Sequence, residues 1–192
     1  MAQPPKKRKA ALPHLDARGF ARMVDVGAKP LTQRVAVAEA FVRMHPDTLE
    51  ALAAGHLAKG DALSVARIAG ISASKKAWDL IPLAHPIALT HAAVDVMIER
   101  EKGGVRVEAR VETNGPTGVE LEAMLAAATA ALAVYDMAKA LDRGMVIERV
   151  QLVMKAGGRS GTYRRRERKG DTESAGAPPK PKKSGAKKPR PA

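Results

Sequence analysis

Two neighbouring stretches alternate apolar and polar positions with a period of two. Ala92–Glu101 sets Val94, Val96 and Ile98 against Asp95, Met97 and Glu99. Val105–Glu112 sets Val105, Val107, Ala109 and Val111 against Arg106, Glu108, Arg110 and Glu112. Successive side chains on a strand point to opposite faces, so both stretches predict strands with one core face and one charged face. Lys102-Gly103-Gly104 between them predicts a hairpin turn. Arg34–Met44, rich in Val and Ala with the same period, and Met145–Lys155 predict two further strands. Val24 and Val26 also alternate with Asp25, but Gly27 and Pro30 end any strand there.

Helical signals fall between these strands. Pro46-Asp47-Thr48 opens a short helix, with His45 as its cap and Gly55 as its stop. Asp61–Lys76 predicts a second helix with Leu63, Ala66, Ile68 and Ile71 on its inner side, weakened by Gly70. Asn114-Gly115-Pro116 breaks the preceding strand, and a long alanine-rich helix is predicted from about Thr117 to Lys139, with Gly144 beyond its end. Helices interspersed with antiparallel strands predict an α+β sandwich, its helices on one sheet face. No internal repeat is present.

Composition changes the picture through the location of charge. The 192 residues carry a net charge of +13. Residues 1–22 contribute +5 and residues 164–192 contribute +8, which leaves residues 23–163 with 16 basic and 16 acidic side chains. The expected organisation is therefore a neutral domain at 23–163 between two basic tails. The C-terminal tail, ending AGAPPKPKKSGAKKPRPA, has almost nothing to bury and predicts disorder, as does the N-terminal PPKKRK segment. Such tails suit weak, salt-sensitive contact with polyanions rather than specific nucleic-acid recognition.

Other classes are excluded by residue type. The chain has no cysteine, so it has no disulfide, thiolate nucleophile, iron–sulfur cluster or zinc–thiolate centre. Histidines 14, 45, 56 and 91 form no i,i+4 pair and no HExxH occurs, so no tightly held catalytic metal is expected. A Mg²⁺ ion riding on a triphosphate would leave no motif of its own. No apolar run reads as a membrane span and the N-terminus reads as no signal peptide, so a soluble, cytoplasmic protein without membrane contact is expected.

The chemistry-bearing residues form islands. Asp136 and Lys139, three apart, share one face of the long helix. They read either as a helix salt bridge or, given the apolar flanks and the Tyr135 hydroxyl, as a semi-buried acid/base couple. Glu120 and Glu122 occupy the first turn, where the helix dipole favours carboxylates. Glu122 and Asp136 lie within roughly 40° of the same face but about 21 Å apart along the axis, too far for one small ligand to touch both in one chain. A site using both needs a second subunit, and the nine alanines among residues 117–140 permit close helix packing. His85 sits between Pro82 and Pro86, which exclude a regular helix and present the imidazole from a fixed loop, with Trp78 placed to pack beneath it. Lys59-Gly60-Asp61, before a helix start, reads as a weak anion cradle. The run from Lys155 to Gly161 (KAGGRSG) is either a flexible exit from the last strand or a second phosphate contact.

As an ordered set, MVDVGAK (23–29), KGD (59–61), ARIAGI (66–71), KKAWDLIPLAHP (75–86), TGVELEAM (117–124), YDMAKA (135–140) and KAGGRSG (155–161) resemble the cyclic pyranopterin monophosphate synthase family of molybdenum cofactor biosynthesis. The resemblance covers residues 23–163 and excludes both tails. It implies a ferredoxin-like fold, an antiparallel sheet with helices packed on one face, assembled as a hexamer (a trimer of dimers) with sites between subunits. It implies conversion of 3′,8-cyclo-7,8-dihydro-GTP, handed over by GTP 3′,8-cyclase, into cyclic pyranopterin monophosphate with release of pyrophosphate. By position Asp136 matches the catalytic aspartate of the family. Leu83, Ala84 and His85, with Leu121 and Glu122, match its substrate-binding segments, while Lys59, Glu120, Lys139 and Lys155 match further active-site positions. Ala84 stands where relatives often carry cysteine, and Leu121 where methionine is common, a swap that conserves volume.

The expected division of labour gives proton movement to Asp136 and Lys139, holding of the base to His85 and Glu122, and neutralisation of phosphate to Lys59 and Lys155. The alternative class is a polyanion-binding protein acting through its tails. Trimming the chain to residues 23–163 separates the two. Pyrophosphate release from the cyclised nucleotide is expected to persist in the trimmed chain, while salt-dependent DNA or RNA binding, followed by titration at rising ionic strength, is expected to disappear.

Overall fold

A computed structural model describes residues 18–166. The tails expected at 1–22 and 164–192 therefore lie, for residues 1–17 and 167–192, outside the described residues. Strand β1 (Thr32–Arg43) runs antiparallel between β3 (Gly104–Gly115) and β4 (Val146–Ala156), with β2 (His91–Glu99) beyond β3 and the two-residue β5 (Tyr163–Arg164) beyond β4. The sheet order is β2-β3-β1-β4-β5. Between β1 and β2 the chain makes α1 (Pro46–Ala53), α2 (Ala62–Ser74) and the short α3 (Ala77–Leu80), and between β3 and β4 it makes α4 (Glu120–Ala138). Each crossover skips one strand, which is the ferredoxin-like α+β arrangement.

Register explains why the sheet has a single apolar face. Ala38 of β1 pairs with Ala109 of β3, which pairs with Val94 of β2; Ala40, Val107 and Val96 form the next row, and Val42, Val105 and Ile98 the one after. These rows meet α2 and α4 in one core. A slip of one residue would turn every row to the opposite face, so the alternation read from the sequence sets the pairing. On that opposite face Arg43 pairs with Glu148, and Arg106 with Glu99 and Glu108 at 2.9 and 2.8 Å. Phe41, 2% exposed, lies there beneath the guanidinium groups of Arg43 and Arg149, 5.5 and 5.6 Å from its ring centre.

The helix starts follow from local chemistry. His45 Nδ1 accepts from the Asp47 N–H at 3.4 Å, with Pro46 opening the first turn of α1. Asp61 accepts from the N–H groups of Leu63 and Ser64 at the start of α2. Its carboxylate thus occupies the helix terminus, so within Lys59-Gly60-Asp61 it is the Lys59 ammonium, not the α2 N–H groups, that can meet an anion.

Four expectations shift. The inner row of α2 is Ala62, Ala66, Gly70 and Ser74, and Ile68 faces outward at 67% exposure. Trp78, in α3, is half exposed rather than packed beneath the His85 loop. The hairpin turn is a 3₁₀ turn at Arg100–Lys102 closed by Gly103 at φ 67°, and Gly104 already belongs to β3. The long helix begins at Glu120, not Thr117, because the chain bends at Pro116 and Thr117 and Val119 is the cap residue. By length and composition α4 is also apolar enough to cross a membrane, but here it is the core helix, with Ala123, Ala126, Ala127, Ala130 and Ala131 fully buried.

Gly70 reverses its expected role. A Cβ there would stand 2.8 Å from the Ala126 carbonyl oxygen and 3.2 Å from Ala130 Cβ, so its missing side chain lets α2 lie against α4. Gly70→Ala gains roughly 1 kcal/mol of helix propensity but must push two backbones apart, at a cost of about 1–3 kcal/mol. The expected result is net destabilisation, read as a lower urea midpoint at unchanged m-value.

Candidate active site

Two groups of charged residues occupy opposite ends of α4. At its start, Glu120, Leu121 and Glu122 face the loop carrying Leu83, Ala84 and His85 across a cavity of about 320 Å³. The segment Val24–Lys29 forms its third wall. His85 Nε2 lies 2.7 Å from the Val24 carbonyl oxygen. Leu83 and Leu121 are partly exposed at the rim, at 36% and 42%. Glu122 is only 3% exposed, and burial, helped by the charge of Glu120, pushes its carboxyl up to about 7.

A second cavity of about 610 Å³ adjoins the first and shares Lys29, Thr117, Gly118 and Glu120 with it. Its other walls come from the start of β1 and the end of β4, and they bring in Arg34, Lys155 and Arg159. Lys155 Nζ bridges Glu120 Oε1 at 3.0 Å and donates to Ser160 Oγ at 2.9 Å. Arg34 donates to the carbonyl oxygens of Gly115 and Pro116, at 3.4 and 3.3 Å, and lies flat against Gly158. Gly157 and Gly158 hold φ 95° and 74°, and a Cβ on Gly158 would overlap the Arg34 guanidinium. The glycines in KAGGRSG are therefore required by this turn and by the close approach of Arg34.

At the other end of α4, Asp136 is gripped by two ammonium groups. Lys139 Nζ reaches Oδ1 and Lys59 Nζ reaches Oδ2, both at 2.8 Å, and Lys59 also donates to the Asp136 carbonyl oxygen at 2.8 Å. Hydrogen bonds from Lys139 and then Lys59 hold the Asp136 carboxyl down to about 2, and Asp136 in turn raises Lys139. The Asp136 side chain is 55% exposed. The semi-buried setting expected for this couple does not exist within one chain; the C-terminal end of α4 emerges past its alanine row into open surface. Tyr135 turns away, donating to the Arg143 carbonyl oxygen at 3.4 Å.

Lys59 joins Asp136 and Lys139, then, while His85, Glu120, Glu122 and Lys155 gather about 21 Å away along the helix. Arg34, Lys29 and the Val24 carbonyl were not legible as site groups, whereas Arg159 lies in the KAGGRSG run that was open to a phosphate contact. The paired glycines of KAGGRSG were the one signal for Arg34, since positive-φ glycines mark close approach. The contact between Val24 and His85 spans 61 positions and left no local trace.

The profile of the MoaC family matches residues 23–158, most of the chain and nearly all of its described body. The chain belongs to the MoaC family. Among its relatives, a cyclic pyranopterin monophosphate synthase of Thermomicrobium roseum is 58% identical over 158 residues, covering 82% of this chain and 95% of that protein. One from Roseiflexus castenholzii is 59% identical, covering 78% and 95%, and one from Parvibaculum lavamentivorans is 52% identical, covering 80% and 96%. The MoaC family match ends close to Gly158, so the cavity formed by Arg34, Lys155 and the glycine turn falls almost wholly inside it.

Glu122 makes this site sensitive to pH. Its carboxyl titrates near 4.5 when unfolded and about 7 when folded, so folding takes up a proton between those values. Stability present at lower pH is therefore lost as pH rises through that window, by about 1.4 kcal/mol per unit at most. Glu122→Gln keeps the shape without the charge. It is expected to flatten the fall in melting temperature across this window and to be the more stable protein above it, as followed by calorimetry.

Proposed function

We propose that this protein converts 3′,8-cyclo-7,8-dihydro-GTP into cyclic pyranopterin monophosphate and pyrophosphate, an early step of molybdenum cofactor biosynthesis. It is a lyase-type cyclase. The observation that carries the proposal is the pair of joined cavities. One end is lined by Arg34, Lys155, Lys29 and Arg159, suited to a polyphosphate, and the other by His85 and Glu122, suited to the edge of a heterocyclic base. Relatives named cyclic pyranopterin monophosphate synthase support the product of this reaction.

The reaction captures the α-phosphate as a cyclic ester, expels pyrophosphate and rearranges the purine to a pterin. Phosphate charge falls to Lys155 and the arginines beside it, with Lys59 added from the other cluster. His85 and Glu122 hold the base, and the partly exposed Leu83, Ala84 and Leu121 complete its walls. Glu122, titrating at about 7, can give or take a proton near neutrality. Asp136 is the catalytic carboxylate in this proposal, and Lys139 its proton partner. Held between two ammonium groups at about 2, Asp136 is a weak base. Phosphate oxygens arriving at Lys59 would draw one ammonium away and return the carboxylate toward a useful range. The substrate itself then switches on the base.

Because about 21 Å of helix separates Asp136 from Glu122, we propose that each site is completed by a second copy of the chain, in a hexamer built as a trimer of dimers. Leu132 and Leu141, 58% and 60% exposed near Asp136, suit burial at such a contact. We further propose that the protein works in the cytoplasm, receiving its substrate from GTP 3′,8-cyclase. No tightly bound cofactor is invoked, and Mg²⁺ would enter on the triphosphate. The polyanion-binding alternative rests on tails outside the described residues and is not favoured.

Asp136→Ala is expected to lower pyrophosphate release by on the order of 100-fold or more, with assembly unchanged by light scattering. Glu122→Ala should be similarly impaired. Co-expressing the two variants is expected to restore part of the activity, because some shared sites would then receive both native residues. Failure of every mixture to exceed its parents would overturn the shared site, and near-normal turnover by Asp136→Ala would overturn its catalytic role.

A further inference from the structure

The wall of the smaller cavity formed by Val24–Lys29 is a strap with one specific polar contact. Asp25 Oδ1 accepts from the Gly27 N–H at 2.8 Å, and the Lys29 N–H donates to the Val26 carbonyl oxygen at 3.0 Å, so two local hydrogen bonds shape it. The strap places the Val24 carbonyl oxygen 2.7 Å from His85 Nε2. A carbonyl oxygen only accepts, so Nε2 must carry a hydrogen to make this contact. In a neutral imidazole the hydrogen cannot also be on Nδ1. That nitrogen has no hydrogen-bond partner among the described residues, and the ring lines the cavity shared with Glu122 and Leu121.

We infer that the Val24 backbone carbonyl is a positioning group that locks His85 as its Nε2–H tautomer, leaving the Nδ1 lone pair to accept a hydrogen bond from an N–H of the base. The inference rests on the proposed function for the identity of the ligand, but not for the tautomer, which is a property of the free protein. The consequence for specificity is direct. A base that offers a ring N–H at this position is held, and one that offers a lone pair meets a second lone pair and is rejected. Sequence alone treats the two ring nitrogens alike; the strap distinguishes them.

Nitrogen-15 NMR of the full chain labelled at histidine tests this without substrate. Loss of one resonance pair in His85→Gln assigns the ring among the five histidines. At a pH where the ring is neutral, Nε2 is expected in the pyrrole-like range and Nδ1 in the pyridine-like range. The reverse pattern, or an equal mixture, overturns the inference. Asp25→Ala loosens the strap without altering a cavity-lining side chain. It is expected to move His85 toward a mixture of tautomers and to raise KM in inverse proportion to the Nε2–H form that remains, with a smaller change in kcat. A shifted tautomer with KM unchanged overturns the positioning role, as does an unchanged tautomer accompanied by a rise in KM. A wild-type protein with the expected tautomer and no cyclase activity would instead sink the functional reading alone.

Discussion

The packing of α4 through its alanines sets the distances on which everything else depends. Ala123, Ala126, Ala127, Ala130 and Ala131 are fully buried, and Gly70 of α2 meets the backbone at Ala126. Side chains this small bring helix and sheet close enough that little movement along the axis is tolerated. The helix becomes a rigid rod with one charged cluster at each end. Its length fixes their separation at about 21 Å, and that separation argues for a site shared between copies.

The two acids at its ends are tuned in opposite directions by opposite causes. Glu122 is removed from water and its carboxyl rises to about 7; Asp136 remains in water but between two ammonium groups, and falls to about 2. One can exchange a proton near neutrality, and the other is held as a weak base by its ion pairs. Two carboxylates on one helix thus suit different tasks. The charged outer face of the sheet carries no such asymmetry, since its arginines and glutamates form direct pairs at the surface.

Much of the fold was legible because its signals are local. The alternation in Val105–Glu112 marks β3, and it also fixes which face meets α4, since register must keep Ala38, Ala109 and Val94 in one row. His45 and Pro46 opened α1 as expected. Misreadings occurred where tertiary contact outweighs local preference. Ile68 looked like a core residue and Gly70 like a flaw, yet α2 lies so close to α4 that its buried row is made of the small residues Ala62, Ala66, Gly70 and Ser74. Lys59-Gly60-Asp61 looked open to an anion because the capping carboxylate of Asp61 cannot be seen turning back from sequence.

The candidate site divides in the same way. Asp136 with Lys139 was readable, because three residues on a helix bring side chains together whatever surrounds them. The separation of Glu122 from Asp136 was readable for the same reason, as helix rise is fixed by backbone geometry. By itself, then, the amino-acid order determined the elements, their faces, the neutral body between basic ends, and the spacing of acids along one helix. Only tertiary structure decided that Lys59 joins Asp136, that Arg34 and Lys155 share a cavity, and that a carbonyl from Val24 selects one nitrogen of His85. Those contacts join residues distant in the chain, and nothing local to either partner records the meeting.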